Sequence, residues 1–249
     1  MEIKTYVINL ERASERRNYI LELLKLYSFL SVEVINAVEG NRLTKDEISY
    51  YFDEPLSYKR YGRNLNKGEI GCTLSHFKCY HSLLNSSEEF ALILEDDITI
   101  LRDLNTIQKI TKEMSGEKPI ILLLSGDYWY VREKEISNDY YISDVYDAVG
   151  SYAYLINRCA AELILKNNNK ASCAADNWSL YKSQGVFIKA IRPYLIDANI
   201  EDFSSTINQQ YFGENRRNMP LIYRFRAYWL AMIKKILVKQ GKFVSKIRK

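Results

Sequence analysis

The chain lacks any apolar run of the length that a transmembrane helix needs, about 18 residues or more. Its first residues also lack the apolar core of a secretory signal peptide. Neither the G-x-G-x-x-G pattern nor the G-K-[S/T] pattern occurs. The absences disfavour membrane-spanning proteins, dinucleotide-dependent oxidoreductases and P-loop NTPases.

Histidine and cysteine are scarce. With two histidines the chain is a poor candidate for a metal-dependent phosphoesterase, whose sites usually recruit His and Asp from several strand ends. The four cysteines form no C-x-x-C pair, which favours free thiols in a reducing compartment, and we expect a cytoplasmic protein. These cysteines are Cys72, Cys79, Cys159 and Cys173.

Charge is distributed unevenly over the 249 residues. Residues 216–249 hold 11 Lys plus Arg and no Asp or Glu, so residues 1–215 hold the remaining 24 basic and all 31 acidic residues. The overall balance of +4 therefore combines an acidic body with a basic tail. We predict a globular domain over residues 1–215 and a separate tail over 216–249.

The tail has an amphipathic helical pattern. Basic residues, among them Arg224, Lys234 and Lys235, lie on one part of the helical wheel. This pattern predicts a helix lying on an anionic membrane surface, and its aromatic content disfavours nucleic acid. An ordinary terminal helix docked on the domain is the alternative. The apolar half of the wheel holds Leu221, Phe225, Tyr228, Trp229, Met232, Ile233 and Ile236.

Strand and helix patterns alternate through most of residues 4–190, which predicts an α/β domain with a mainly parallel sheet flanked by helices. A strand over 6–10 and a helix over 12–27 form the first unit, and residues 40–64 predict a loop with short helical turns. Asn66 is placed to cap a long helix that begins at Lys67.

The most informative stretch is the apolar run of residues 90–94, which ends in Glu95, Asp96 and Asp97. Such a run is typical of a strand buried on both faces, and ligands of open α/β sheets bind outside the carboxyl ends of the strands. Three adjacent carboxylates there call for protonation or a cation. Mg²⁺ or Mn²⁺ bridging to a diphosphate fits, and a solvated turn is the alternative.

Polar residues also follow the first strand. Asn9, Arg12 and Arg16 stand at a strand-to-helix junction, where helix amides and arginines favour phosphate. The pattern predicts a nucleotide pocket. An exposed first helical turn, with its arginines paired to nearby glutamates, fits equally well.

The two histidines fall on the predicted helix after Asn66. His81 shares the apolar face, and we expect it to be packed in the core. His76 lies near Cys72 and Cys79, but a zinc site of these residues lacks a fourth ligand. We favour a ligand that approaches the small side chains around Ser75 and receives a hydrogen bond from His76.

Asp176 lies two residues before Trp178, in a polar segment. A carboxylate beside an aromatic ring suits a sugar, because the ring stacks on the apolar sugar face while the carboxylate binds hydroxyls. A helix cap over residues 177–182 explains the same aspartate.

Four blocks stand in order along the chain. They are N-L-x-R-x-x-x-R from Asn9, G-E-I-G-C-x-x-S-H from Gly68, L-E-D-D from Leu94, and G-S-Y-A-Y-L-I from Gly150 with the later Asp176. Taken together, these blocks resemble glycosyltransferase family 25, over residues 4 to about 180. The resemblance implies a GT-A (Rossmann-like) fold, a UDP-sugar donor, commonly UDP-galactose, and transfer with inversion to an oligosaccharide or lipid-linked acceptor in lipo-oligosaccharide or related glycan synthesis.

The resemblance also implies roles. Asp97 would hold Mn²⁺ or Mg²⁺, with Glu95 at the ribose or the metal, and Asp176 would bind the acceptor or act as general base. The remaining implied residues are Asn9, Arg12 and Arg16 in the nucleotide pocket, Ser75 and His76 near donor or acceptor, and Asp96 within the acidic element. A non-catalytic glycan-binding protein of the same fold is the alternative. In either case we expect a protein peripheral on the inner membrane.

Two departures from the pattern stand out. Many GT-A enzymes add a late histidine to the metal, yet none follows His81 here. In addition, Ala174 and Ala175 precede Asp176 where the family usually has a proline-rich acidic block.

Overall fold

The computed structural model describes residues 2–137, 139–199 and 215–245. Its strands form one large sheet and a small two-stranded sheet, β4 (Ile98–Ile100) with β10 (Ile196–Ala198). The strands of the large sheet are β1 (Ile3–Asn9), β2 (Leu30–Asn36), β3 (Phe90–Glu95), β5 (Ile120–Leu123), β6 (Tyr128–Ser137), β7 (Tyr140–Ala148), β8 (Ala153–Asn157), β9 (Phe187–Arg192) and β11 (Phe243–Val244).

Helices flank this sheet, as predicted for the α/β class. Short 3₁₀ turns cover Gly40–Arg42, Thr111–Met114 and Arg216–Asn218. The α-helices are α1 (Ser14–Leu24), α2 (Lys45–Tyr51), α3 (Glu54–Tyr61), α4 (Lys67–Leu84), α5 (Asn105–Ile110), α6 (Arg158–Asn167), α7 (Trp178–Ser183) and α8 (Leu221–Lys239).

The large sheet is mixed, in the order β11-β6-β7-β9-β5-β8-β3-β1-β2. Parallel pairing joins β2, β1 and β3, and also β5 with β9, whereas β8 runs antiparallel to both of its neighbours. The long hairpin of β6 and β7 extends the sheet with further antiparallel pairs. Among the described strands of this sheet, parallel pairing is therefore confined to these two groups. In the first group it brings the carboxyl ends of β1 and β3 together.

Strand β3 is buried on both faces, as its apolar run predicts. Ala91 and Ile93 belong to the hydrophobic cluster on one side of the sheet, which includes side chains of α4, α6 and α7. Leu92 and Leu94 belong to the cluster on the other side, with side chains of α1 and α5. Each buried leucine or isoleucine side chain contributes roughly 1.5–3 kcal/mol of transfer free energy, so the strand is a firm support for the acidic residues that follow it.

Helix α4 begins as predicted. Asn66 accepts a hydrogen bond from the Glu69 backbone amide while the Glu69 side chain accepts from the Asn66 backbone, which is a capping box. The prediction for His81 is wrong, because this side chain is exposed. The adjacent Tyr80 and then Leu83 take the core positions instead, and a large aromatic ring gains more from burial than an imidazole does.

The basic tail folds back on the rest of the chain. Helix α8 follows Arg216–Asn218, and β11 pairs antiparallel with β6 at the edge of the large sheet. The expected amphipathic helix is thus present. The division proposed at residue 215 falls next to residues 200–214, which lie outside the described part of the chain. Among the described helices none is both long enough and apolar enough to span a bilayer.

Candidate active site

Two neighbouring parallel strands bring the acidic triplet to the first strand's polar end. Strand β3 ends at Glu95, which lies in register with Ile8 of β1, so Asn9 stands beside Asp96. Asp96 and Asp97 form the turn that leads into β4. These two segments meet because β1 and β3 are parallel neighbours whose carboxyl ends lie at the same edge of the sheet.

Asn9 and Arg16 hold two of the carboxylates in place. The amide nitrogen of Asn9 donates to Asp96 Oδ2 at 2.6 Å and to the carbonyl of Ala13 at 3.0 Å. The guanidinium of Arg16, on the first turn of α1, lies 3.2 Å from Asp96 Oδ1 and 3.2 Å from Asp97 Oδ2. Because its amide nitrogen is held by the Asp96 and Ala13 acceptors, the side chain of Asn9 leaves its Oδ1 buried without a hydrogen-bond partner.

The carboxylates carry more negative charge than Arg16 balances. Burial raises the pKa of Asp96. Burial, together with repulsion by Glu95 and despite attraction by Arg16, raises the pKa of Asp97 to about 7. A divalent cation placed among oxygen ligands would relieve this repulsion, so the residues fit a hard metal such as Mn²⁺ or Mg²⁺.

Glu95 has a different environment. The Ser151 hydroxyl donates to its Oε1 at 2.9 Å, and Nε2 of His76 lies 3.5 Å from the same oxygen. Burial by itself raises the pKa of Glu95, but His76, Ser151 and Arg16 outweigh it and the pKa lies below the ordinary value. Glu95 is therefore ionised at neutral pH.

A first cavity of about 130 Å³ opens beside these groups. Arg12 stands at its rim, half-exposed, with its Nε 2.9 Å from Glu39 Oε1. Ser75 borders the cavity but is buried, and its hydroxyl accepts from the Val38 amide and donates to the Gly71 carbonyl. Ser75 thus holds the wall of the cavity together and is satisfied within the protein.

That wall depends on a close approach between α4 and residues 38–40. A Cβ atom added at Gly71 would lie 2.5 Å from the Val38 carbonyl oxygen, and one added at Gly40 would lie 1.7 Å from that of Lys67. Both distances are below any tolerable contact. Glycine at these two positions therefore permits the close approach of α4 to residues 38–40, which line the cavity.

Asp176 lies in a second cavity, of about 730 Å³, which Glu95 and Cys72 also line. Its Oδ2 accepts from the Gly150 amide at 2.9 Å, while the Gly150 carbonyl accepts from the Trp178 indole at 3.0 Å. Burial raises the pKa of Asp176. The two cavities share Cys72 and Glu95, so a group bound in one can meet a group bound in the other.

Helix α8 forms one wall of the second cavity. Ala227, Leu230, Ala231 and Lys234 line it, and Lys234 makes an ion pair with Asp147 of β7, which also lines the cavity. The tail is therefore part of the candidate site. The sequence leaves open that this helix docks on the domain, but no pattern in it predicts that the helix lines a cavity, because the helix meets β7 only through the folding of the whole chain.

Other residues of the site also escaped the sequence analysis. Ser151, which binds Glu95, had been assigned no role, although it lies in the fourth family block beside Gly150. Tyr154 hydrogen-bonds Nδ1 of His76 at 2.7 Å and in turn meets the hydroxyl of Tyr80 at 2.8 Å. An apolar strand pattern predicts only that Tyr154 packs in the core. Its place in the fourth family block is the one sequence feature that could have indicated a role in the site.

Comparison with known proteins gives a family. The model of "Glycosyltransferase family 25 (LPS biosynthesis protein)" matches residues 2–179. These residues contain β1, the acidic triplet, His76 and Asp176, and they line both cavities apart from Arg216 and the α8 wall.

Similar curated proteins include a glycosyltransferase 25 family member of Aedes aegypti, 38% identical over 96 residues (37% of this chain, 16% of the relative). Procollagen galactosyltransferase 2 of Mus musculus is 33% identical over 96 residues (37% and 15%). The human protein named inactive glycosyltransferase 25 family member 3 is 28% identical over 142 residues (54% and 22%). The matches thus span less than a quarter of the length of these relatives.

Among solved structures, a galactosyltransferase in complex with donor and acceptor sugar analogues matches with a TM-score of 0.39 at 10% identity, covering 75% of this chain and 73% of that one. A glycosyltransferase of Streptococcus pneumoniae matches with a TM-score of 0.39 at 14% identity, covering 99% and 66%. At such scores a likeness does not bear on function.

Proposed function

This chain belongs to glycosyltransferase family 25, and from that premise we propose that it transfers a hexose, galactose in the first instance, from a UDP-sugar to a saccharide acceptor. We further propose that transfer inverts the anomeric centre and serves lipo-oligosaccharide or related surface glycan synthesis. The observation that carries the proposal is the convergence of Asn9, Arg16 and the Glu95–Asp97 triplet beside a cavity at the ends of two parallel strands.

In this proposal the first cavity binds the donor. Arg16 and Arg12 would orient the diphosphate, and Asn9 fixes Asp96 so that the acidic turn keeps its shape. Asp97 and Glu95 would hold Mn²⁺ or Mg²⁺, which when bound stabilises the charge that develops on the UDP leaving group. The excess of carboxylate charge over Arg16 supports a divalent cation here.

The second cavity would bind the acceptor. An inverting transfer needs a hydroxyl that attacks from the face opposite the leaving group, and a carboxylate can take its proton. Asp176 is held by the Gly150 amide in a cavity that adjoins the donor site through Glu95 and Cys72. This position supports Asp176 as general base or acceptor-binding residue.

The direct test is release of UDP. The full chain would be incubated with Mn²⁺, a saccharide acceptor and, in separate reactions, UDP-galactose, UDP-glucose and UDP-N-acetylhexosamines. We expect acceptor-dependent UDP release, fastest with UDP-galactose. A different preferred sugar would correct the donor, and no release with any of them would count against transferase activity.

A non-catalytic glycan-binding role is the second candidate, because one of the similar human proteins is named inactive. In that case the chain would bind UDP-sugar or glycan in calorimetry without any turnover. The acidic triplet favours the enzyme. A cation held there would stabilise a diphosphate leaving group, whereas a protein that only binds glycans has no need of such a cation.

We propose that α8 also holds the protein on an anionic membrane surface, which would place it at the inner face of the cytoplasmic membrane. One face of α8 packs on the domain and lines the second cavity, whereas the opposite face of the helix exposes large apolar side chains beside basic ones. A lipid-linked glycan acceptor would then reach the cavity next to the helix. The exposed residues include Leu221, Ile222, Phe225, Tyr228, Trp229, Met232 and Ile236.

The membrane proposal makes its own prediction. Replacing Phe225 and Trp229, 72% and 64% exposed, by serine should reduce co-sedimentation with vesicles of anionic phospholipid by at least about 10-fold, because buried apolar area drives interfacial binding. The matched control replaces Tyr50 and Tyr51 on α2, also exposed. Equal binding by the two double variants, or binding unaffected by anionic lipid, would refute the role of α8.

A further inference from the structure

We propose that Cys72, His76 and Glu95 form a binding site for a borderline-soft transition metal such as Zn²⁺. This site adjoins the hard-cation site at Asp97, and Glu95 is common to the two. The ligand atoms of these three residues lie within 4.8 Å of one another. Tetrahedral ligands at zinc stand roughly 3.3–3.8 Å apart, given bonds of about 2.0–2.3 Å. Closing the site thus requires side-chain movements of about an ångström.

Local structure brings two of the ligands together. Cys72 and His76 are four residues apart on α4, the spacing that places two side chains one above the other on the same helix face. The sequence offered Cys79 as their third partner. Cys79 is fully buried in the core, and Glu95 at the end of β3 takes that place instead.

His76 supplies the observation that points to a ligand. It is 1% exposed, and its buried Nε2 makes no hydrogen bond, although Glu95 Oε1 lies 3.5 Å away at the distance of an ion pair. A buried polar atom without a partner costs about 1–3 kcal/mol, so its presence calls for an explanation. A metal ion bound to Nε2 provides one.

The surroundings of His76 and Glu95 match those of metal ligands. A ligating histidine usually bonds a second group through its other ring nitrogen, which fixes its tautomer. Here Nδ1 of His76 bonds the hydroxyl of Tyr154, which is itself anchored by Tyr80. Ser151 donates to one oxygen of Glu95 and so fixes that carboxylate.

The donor set decides the class of metal. Thiolate, imidazole and carboxylate together suit Zn²⁺ or Co²⁺, whereas Mg²⁺ prefers oxygen alone. Binding would release the Cys72 thiol proton to water as the sulfur–metal bond forms. Thiolate and carboxylate then neutralise the divalent charge, and the neutral imidazole completes three protein ligands. The fourth position would face the space between the two cavities, which Cys72 and Glu95 both line.

Cobalt is the probe for the test, because Co²⁺ replaces Zn²⁺ and a cobalt–thiolate bond gives a near-ultraviolet charge-transfer band that oxygen ligands do not give. The full chain, stripped of metal, would be titrated with Co²⁺. We expect a saturable charge-transfer band and the visible bands of a four-coordinate site. Addition of Zn²⁺ should remove both.

Variants separate this site from other cobalt sites. Cys72→Ser should abolish the charge-transfer band, and His76→Gln should weaken cobalt binding by at least about 10-fold. Cys159→Ser and Asp97→Asn should leave the band unchanged. Circular dichroism would check the fold of each variant.

Three outcomes would overturn the proposal. They are the absence of a saturable band in the unmodified chain, survival of the band in Cys72→Ser, and its loss in Asp97→Asn or Cys159→Ser with Cys72 intact. None of these outcomes bears on glycosyl transfer, because the readout requires neither donor nor acceptor.

Discussion

Asp97→Asn should lower acceptor-dependent UDP release by at least about 10³-fold while leaving the chain folded. The asparagine keeps the size of the side chain but removes the anionic ligand that we assign to the divalent cation. Loss of a cation at a developing diphosphate charge costs several kcal/mol of transition-state stabilisation, and each 1.4 kcal/mol is about a factor of ten in rate. Turnover in saturating Mn²⁺ would be measured for both proteins.

The same substitution should not destabilise the protein, and this separates a lost ligand from a lost fold. The pKa of Asp97 is about 7 because burial and Glu95 disfavour its ionised form. The folded chain therefore binds more protons than the unfolded chain between about pH 4 and pH 7, and stability falls as pH rises through that window. Asparagine does not ionise, so the Asp97→Asn variant should not lose stability in this way.

Urea unfolding in the presence of a chelator checks this directly. At pH 7 the free energy of unfolding of Asp97→Asn should equal or exceed that of the unmodified chain, and near pH 4 the two should converge. A variant that is both unstable at pH 7 and inactive would show that Asp97 acts in folding. Full activity of a stable variant would dismiss the metal role.

Asp176→Asn should reduce kcat by about 10²–10⁴-fold, the usual contribution of a general base. The asparagine oxygen can still accept from the Gly150 amide, as Asp176 Oδ2 does at 2.9 Å. The side chain should therefore stay in place. UDP affinity, measured by calorimetry, should not change, because Asp176 lines only the second of the two cavities.

A pH profile distinguishes a base from a residue that only binds the acceptor. Burial raises the pKa of Asp176, and a base must be deprotonated to act. The activity of the unmodified chain should thus fall on the acidic side, with an inflection above the ordinary range of aspartate. Asp176→Asn should lose that inflection. If the inflection persists and only KM rises, Asp176 binds the acceptor hydroxyl without taking its proton.

Much of the fold could be predicted from local sequence. The apolar run at 90–94 specified a strand buried on both faces, and Asn66 specified the start of α4, because periodicity and capping depend on nearby residues. The alternation of strands and helices gave the α/β class. It did not give the antiparallel insertion of β8 between β3 and β5, since pairing order depends on distant segments.

The site divides in the same way. The meeting of Asn9 and Arg16 with the triplet could be predicted, because β1 and β3 are parallel neighbours whose ends share one edge. The environment of His76 could not. Spacing along α4 predicts that Cys72 lies near His76, but Glu95 ends β3, Ser151 precedes β8 and Tyr154 lies in β8. The pattern also predicts His81 in the core, although it is exposed.

The sequence by itself determined the family of this protein and which charged groups follow its strands, since three carboxylates at the end of a buried strand, arginines after the first strand and the family blocks are all local patterns. Only the tertiary structure decided which groups share a cavity. The basic helix α8 became a wall beside Asp176 because its inner face packs near β6 and β7, whose edge position is set by the order of the whole sheet. Contacts of this kind join residues far apart in the chain, and no local periodicity encodes them.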